Sequence, residues 1–130
     1  MKKTLIFLFI VLSLITSNAR AESGWTLVSV SAVSNDKYYV DFNRIRTNSG
    51  YKFFWYLIDY GKEDKFGDSS AVSYTKVDCG AFRYKRLDTK FYASGMGKGK
   101  LNAHIKNETE WLYPKRESSI EEVLNKVCDY

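Results

Sequence analysis

Residues 51–60 read YKFFWYLIDY, a nearly continuous run of aromatic and aliphatic residues. Alternate side chains of an extended strand point to opposite faces of the sheet. Phe53, Trp55 and Leu57 therefore share one face, and the even-numbered residues between them continue the apolar character on the other. A strand that is apolar on both faces is covered on both. The stretch predicts the central strand of a sheet.

Shorter stretches on either side alternate in the same way and predict an antiparallel sheet of about six strands. Gly and Asn accept positive φ angles, so Asn48-Ser-Gly50 places a turn directly before the central strand. A second turn is expected at Cys79-Gly80, between two stretches that pair as a hairpin. The predicted strands are residues 24–33, 37–42, 51–60, 70–78 and 81–87, a short strand that begins at Phe91-Tyr92, and a last edge strand at 110–113.

The C-terminal segment changes to a helical period. From Ser118 onwards the apolar residues recur at i, i+3, i+4, i+7 and i+8, which is one face of an α-helix. Ser118 with Glu121, or Ser119 with Glu122, forms a capping box that satisfies the free N–H groups of the first turn. We expect this helix to pack on one face of the sheet, so the predicted fold class is α+β. The apolar residues are Ile120, Val123, Leu124, Val127 and Cys128.

The N-terminus has the pattern of a cleavable secretory signal peptide. Lys2 and Lys3 precede an apolar run over residues 5–15, and Ala19-Arg-Ala21 has the small-x-small pattern of a signal peptidase site. The apolar run is shorter than the roughly 20 residues that cross a bilayer. These features predict export rather than a transmembrane anchor.

Cleavage is expected between Ala21 and Glu22, with a cut after Ala19 as the alternative. Residues 1–21 would then be removed, and residues 22–130 would form a single domain. The formal net charge falls from +5 to +2, because the removed segment carries three basic residues and no acid. The remaining Lys and Arg are interspersed with Asp and Glu, unlike the basic stripe of a nucleic-acid binder. We therefore expect no nucleic-acid partner.

The sequence contains two cysteines, Cys79 and Cys128. In an oxidising compartment two cysteines pair more readily than they stay free, so we expect one disulfide, with two buried thiols as the alternative. A bond closing a loop of this length stabilises by about 4 kcal/mol in the chain-entropy treatment. Because Cys128 lies on the apolar helix face, the bond would fasten the helix to the sheet. Neither cysteine lies at the predicted cleavage point, so no lipid anchor is expected.

Residue types that carry catalysis or bind metals are scarce. His104 is the single histidine, and no nucleophile motif accompanies it. A metal site needs several matched ligands, which one histidine and two paired cysteines do not supply. The glycine-rich segment at 94–100 lacks the Gly-Lys-Ser/Thr of a phosphate-binding loop. We expect no enzymatic activity and no cofactor.

Two features are candidates for binding. The chain has 10 Tyr, 8 Phe and 3 Trp; most are expected in the core and in cross-strand pairs, but a tyrosine on an exposed sheet face offers rigid contact area with a polar tip. The second candidate is the glycine-rich loop with Ser94, Lys98 and Lys100, which we expect to be flexible and cationic. Such a loop can enter an acidic enzyme cleft, as small lysozyme inhibitors do.

Taken together, these elements resemble the surface-adhesin protein E family. The most specific parts are the Trp55-x-Leu57-x-Asp59-Tyr60 strand, the Asp78-Cys79 pair and the closing helix with Val127-Cys128. The resemblance runs over essentially the whole predicted mature chain. It also includes Trp25, Tyr39-Val-Asp41, Ile45, Gly50, Arg86-Leu87, Tyr92, Met96, Gly99 and Trp111.

The resemblance implies an antiparallel sheet with a packed helix, a disulfide between Cys79 and Cys128, and an envelope or surface location in a Gram-negative bacterium. The family's namesake is an outer-membrane adhesin that binds host matrix proteins, so the implied function is a non-enzymatic binding module with protein partners. The namesake is lipid-anchored, which this sequence does not match, and Pro114-Lys-Arg-Glu117 stands where the family pattern has a Pro-Gly-Ser-like start of the helix.

The alternative function is a soluble periplasmic inhibitor of the lysozyme-inhibitor type, or a structural protein of the envelope. The expected location is the periplasm, the cell surface or the medium, without a stable membrane anchor. The sequence leaves the oligomeric state open between monomer and dimer.

Overall fold

The computed structural model describes residues 24–130, so the predicted signal peptide and its cleavage site at Ala21 and Glu22 lie outside the described residues. Within this range the chain forms one seven-stranded antiparallel sheet and one C-terminal α-helix. The strands are β1 (Trp25–Val30), β2 (Lys37–Asp41), β3 (Arg46–Asn48), β4 (Tyr51–Asp59), β5 (Ser70–Asp78), β6 (Arg83–Tyr92) and β7 (Leu101–Ile105), and the helix α1 is Ser119–Asp129. Short 3-10 turns lie at Phe42–Arg44 and Gly95–Gly97.

The strand order in space is β1-β2-β4-β5-β6-β7, and β3 also pairs with β4. The predicted central position of β4 is confirmed, since it lies between β2 and β5. The predicted turn before it is confirmed as well, because Ser49 and Gly50 have φ angles of 53° and 81°. The turn at Cys79-Gly80 joins β5 to β6 as expected, and their pairing begins at Asp78 opposite Arg83.

Two strand predictions differ from the structure. β6 is one strand of 10 residues, whereas we expected one strand to end at Leu87 and another to begin at Phe91. The register between β5 and β6 shifts at Tyr74/Thr75, and an extra residue of this kind interrupts the alternation from which strands are predicted. The predicted edge strand at 110–113 is reduced to a single bridge between Tyr84 and Leu112.

The hydrophobic core lies between α1 and one face of the sheet, which we call the helix face. Phe54 and Tyr56 of β4 pack there with Val123, Leu124 and Val127 of α1, and all five are almost completely buried. The opposite face, here the open face, carries the odd-numbered residues of β4. The expectation that both faces are covered holds only in part, because Phe53 and Trp55 on the open face are partly exposed.

Both ends of α1 are fixed. At its start, the Ser118 hydroxyl accepts a hydrogen bond from the Glu121 N–H at 3.3 Å, which selects Ser118 with Glu121 from the two predicted capping boxes. The Glu121 carboxylate accepts from the N–H of Glu117 at 3.1 Å. At the end of the helix, the predicted disulfide between Cys79 and Cys128 is present and joins α1 to the β5–β6 turn.

A search of residues 24–130 for a helix that is long and apolar enough to cross a membrane finds none.

Candidate functional site

The open face carries aromatic and cationic side chains on neighbouring strands. The rings of Trp55 and Tyr74, which are paired across β4 and β5, lie 4.8 Å apart between centroids. Phe53 is paired with Lys76 in the same way. Each of these side chains is partly exposed. Aromatic residues and arginine are enriched in protein interfaces, so this partly exposed face is a candidate interaction site.

Trp111 closes one end of this face. The segment before the helix runs beside β6, and Leu112 exchanges two backbone hydrogen bonds with Tyr84 at 2.9 and 2.8 Å. Because Leu112 lies beside a helix-face residue, its neighbour Trp111 falls on the open face with Arg83 and Lys85. The Arg83 guanidinium carbon lies 4.2 Å from the Trp111 ring centroid, and the Lys85 Nζ lies 4.9 Å from it.

Lys76 lies among the aromatic rings at the end of the open face where Trp111 is located. Its Nζ is 4.1 Å from the ring centroid of Tyr51, 5.6 Å from that of Trp111 and 5.9 Å from that of Phe53. An ammonium group within about 6 Å of an aromatic face is attracted to the ring. The three rings therefore hold the cation of Lys76 in place on the surface.

Arg44 organises the other end. It follows β2 in the 3-10 turn that begins at Asp41, whose carboxylate accepts from the N–H of Asn43 at 3.1 Å and from the Nε of Arg44 at 2.6 Å. The Arg44 guanidinium carbon then lies 5.7 Å from the ring of Trp25 and 5.4 Å from that of Trp55. We call these two ends together the aromatic–cationic patch. Its members are Trp25, Arg44, Tyr51, Phe53, Trp55, Tyr74, Lys76, Arg83, Lys85 and Trp111.

The cations of the patch differ in their pairing. Arg83 forms an ion pair with Asp78 at 3.1 Å and Lys85 with Glu108 at 3.2 Å. A hydrogen bond from the Ala81 N–H and another from Arg83 lower the pKa of Asp78, so this carboxylate stays ionised beside Arg83. Within residues 24–130, Lys76 has no carboxylate within ion-pair distance. Lys76 can therefore bind an anionic group of a partner.

The loop that contains Ser94, Lys98 and Lys100 packs against the open face beside the patch. The N–H of Met96 donates to Asp59 at 3.0 Å, and the N–H of Gly97 donates to the Ser70 hydroxyl at 2.8 Å. A side chain at residue 97 would meet the Val72 methyl group at 3.0 Å, which shows how closely the loop approaches the sheet. Three candidate residues, Ser94, Lys98 and Lys100, are exposed on its outer side.

These hydrogen bonds hold the middle of a loop that we expected to be flexible against the sheet. The loop also covers Leu57, which is completely buried although it lies on the open face. The structure therefore brings the loop next to the patch but does not join the two, since the loop packs on Leu57 and Val72 and its lysines are exposed to solvent.

The described part of the chain has one histidine, His104, and its side-chain partner is a carboxylate. The Nε2 of His104 lies 2.6 Å from a carboxylate oxygen of Asp88, as a hydrogen bond across β6 and β7. Between residues 24 and 130 there is no group of three or more His, Cys, Asp or Glu side chains that could hold a metal ion.

Sequence reasoning did not single out Arg44, Lys76, Arg83 or Lys85. The alternating pattern of β4 and β5 in the sequence already places several aromatic residues and Lys76 on one face of the sheet. The sequence does not tell which face the single helix covers, so it could not separate core aromatics from exposed ones.

Comparisons with known proteins agree with this fold. The family model described as surface-adhesin protein E matches residues 25–129. Crystal form II of Haemophilus influenzae protein E is similar in structure, with a TM-score of 0.63, 19% identity, and coverage of 83% of this chain and 89% of that chain. Protein E from non-typeable Haemophilus influenzae gives a TM-score of 0.58 at 17% identity, covering 85% of this chain and 79% of the other. A search of curated protein sequences finds no significant match.

Proposed function

Because the chain belongs to the surface-adhesin protein E family, we propose that it is a non-enzymatic, adhesin-like module of the bacterial envelope that binds partner proteins through its aromatic–cationic patch. The observation that carries this proposal is the position of Lys76, whose ammonium group is held among three aromatic rings with no carboxylate of residues 24–130 within ion-pair distance. The partner class that fits is a protein with an acidic segment on its surface, host matrix proteins included.

The chemistry of the patch supports protein binding. Trp, Tyr and Arg are the residues that most often dominate the energy of protein interfaces, because they combine large contact area with a polar or charged group. Exposed cations increase the rate of encounter with an acidic partner and help to orient it. The cross-strand register of β4 and β5 positions the aromatic side chains of these strands in advance, which reduces the entropy lost on binding.

The proposed location is outside the cytoplasm, in the periplasm, on the cell surface or in the medium. The predicted signal peptide and the disulfide between Cys79 and Cys128 support this location, because disulfides persist in oxidising compartments. Fractionation of cells into periplasm, outer membrane and medium tests it. A purely periplasmic product would contradict direct contact with host proteins.

Binding to a panel of immobilised extracellular-matrix proteins at physiological salt tests the function. We expect saturable binding to at least one member, weakened by added salt because the contacts are partly electrostatic. The absence of binding across the whole panel would contradict the adhesin-like function.

The lysozyme-inhibitor function has weaker support. The exposed Lys98 and Lys100 favour it, but the hydrogen bonds from Met96 and Gly97 tie the loop to the sheet instead of extending it into an enzyme cleft. We expect lysozyme to lyse cell walls at an undiminished rate in the presence of excess protein. Inhibition of lysozyme at equimolar protein would favour the inhibitor function over the adhesin-like function.

A further inference from the structure

A cleft lies on the helix face of the sheet, beyond the region that α1 covers. The helix packs over β1, β2 and part of β4, which leaves the ends of β4, β5 and β6 without a cover. The cleft has a volume of about 380 Å³, within the range of small-molecule sites. Its floor is apolar and is formed by Ile58, Ala71, Phe91 and Ile105.

Arg86 lies at one end of this cleft and is half-buried. Its Nη1 donates to the hydroxyl of the buried Tyr56 at 3.3 Å. Across residues 24–130, no carboxylate lies within ion-pair distance of Arg86. Taking a charge partly out of water is costly unless a counter-charge compensates it. A neutral hydroxyl does so only in part, and an anion of a ligand would complete the pairing.

The opposite end of the cleft has the opposite electrostatic character. Tyr60 lines that end, and burial together with the nearby charges of Asp64 and Asp68 raises its pKa to about 12. The same two acids line the adjoining hollow, which shares Phe91 and Ile105 with the cleft. An anionic ligand is therefore repelled from this end and attracted to Arg86, which fixes its direction in the cleft.

The floor favours an alkyl chain over a peptide. A peptide brings backbone N–H and C=O groups that must be hydrogen-bonded when they are buried. The two hydroxyls in the middle of the cleft, on Ser73 and Thr89, are bonded to each other at 2.9 Å. The floor residues Ile58, Ala71, Phe91 and Ile105 have no polar side-chain groups that could hydrogen-bond a buried peptide amide. Methylene groups need no such partner, and burying them against this floor is favourable.

We propose that the cleft is a binding site for a medium-chain alkyl carboxylate, with the carboxylate on Arg86 and the alkyl chain lying over Ile58, Phe91 and Ile105. This site is on the face opposite the aromatic–cationic patch, so it does not depend on the proposed adhesin-like function. Carboxylate and guanidinium groups match in geometry and can form two parallel hydrogen bonds, and Asn107 and Thr109 line the same end of the cleft.

Calorimetric titration of the purified, oxidised protein with decanoate and with decanol tests the site. Decanoate is expected to bind about tenfold more tightly than decanol, since a hydrogen bond to a charged group contributes about 1.5 kcal/mol or more. Arg86→Met is expected to remove this preference, while Arg86→Lys keeps part of it. The same change at the exposed Arg46 of β3, Arg46→Met, should leave decanoate binding unchanged.

Methyl chemical shifts locate the bound ligand. Decanoate should shift the methyl signals of Ile58, Ala71 and Ile105, and Ile105→Glu should weaken its binding by placing a carboxylate beside the chain. Ile105 is about half exposed, so this variant is expected to fold. Wild-type protein that binds decanol as tightly as decanoate, or that shows no saturable decanoate binding, would overturn the proposal even if the Arg86 variants failed to fold.

Discussion

Lys76 lies over the ring of Tyr51, with its Nζ 4.1 Å from the ring centroid. The two residues are diagonal neighbours on β5 and β4, because Lys76 is paired directly with Phe53, and long side chains reach such diagonal partners. The sheet register therefore places a cation on an aromatic surface without a loop or a flexible segment. This arrangement is the structural basis for the proposed binding of an acidic partner.

The disulfide is predicted to fix the helix to the sheet. In the Cys79→Ser/Cys128→Ser variant, we expect the free energy of unfolding to fall by about 4 kcal/mol, because the bond closes a loop of about 50 residues. Thermal unfolding followed by circular dichroism measures the change, and wild-type protein in excess reductant should behave like the variant. An unchanged melting temperature in both cases would show that α1 is held by packing alone.

Lys52 is predicted to stabilise the end of α1. Its Nζ donates to the main-chain oxygens of Val127, Cys128 and Tyr130 at 3.1, 3.2 and 2.8 Å. A cation at the negative end of a helix contributes up to about 2 kcal/mol when it is partly buried. Lys52→Met should lower the free energy of unfolding by about 1 kcal/mol in urea titrations. Lys126→Met, which removes an exposed lysine of the helix itself, is the control and should cost much less.

Thr75→Val is predicted to stabilise the protein. The Thr75 hydroxyl is the one completely buried side-chain oxygen without a hydrogen-bond partner in the range 24–130. Removing an unsatisfied buried hydroxyl recovers about 1 kcal/mol. Thr89→Val should have the opposite effect, because the Thr89 hydroxyl is bonded to that of Ser73 at 2.9 Å. Urea unfolding of both variants measures the contrast, and destabilisation by Thr75→Val would show that the hydroxyl has a partner in solution.

Tyr60 is predicted to make the protein less stable at high pH. Burial, followed by the charges of Asp64 and Asp68, raises the pKa of Tyr60 to about 12 from the ordinary value of 10.0. The unfolded chain therefore releases this proton first and is favoured as pH rises, so stability that is complete below pH 10 is lost towards pH 12. Tyr60→Phe should reduce that loss in urea unfolding series taken across this range. Equal pH dependence in both proteins would contradict the prediction.

The sequence predicted the elements whose pattern depends only on local spacing. β4, β5 and α1 were found within a residue or two, since their apolar periods are long and regular. β3 was missed because it has only three residues, all exposed. β6 was divided because of the bulge opposite Tyr74/Thr75. A long, regular apolar period can be read from the sequence alone. The position of a short edge strand or of a bulge depends on the strand with which it pairs.

The positions of the candidate-site residues could be predicted from the sequence only in part. Trp111 reaches the open face because the segment around Leu112 pairs with Tyr84, a contact between residues far apart in the chain. Arg86 faces the cleft because α1 leaves this part of β6 uncovered. Both features follow from where the single helix lies, and the helix pattern in the sequence does not specify its position on the sheet.

The most direct test of the proposed function compares two charge reversals, Lys76→Glu in the patch and Lys126→Glu on the exposed surface of α1. Both variants change the net charge equally, so a general electrostatic effect would act on both. Binding to the matrix protein that the wild type binds best is measured at physiological salt by surface plasmon resonance. We predict that Lys76→Glu weakens binding by about tenfold or more, as expected for the loss of a central charged contact, while Lys126→Glu stays near wild type. Equal binding by both variants would contradict a role of the aromatic–cationic patch.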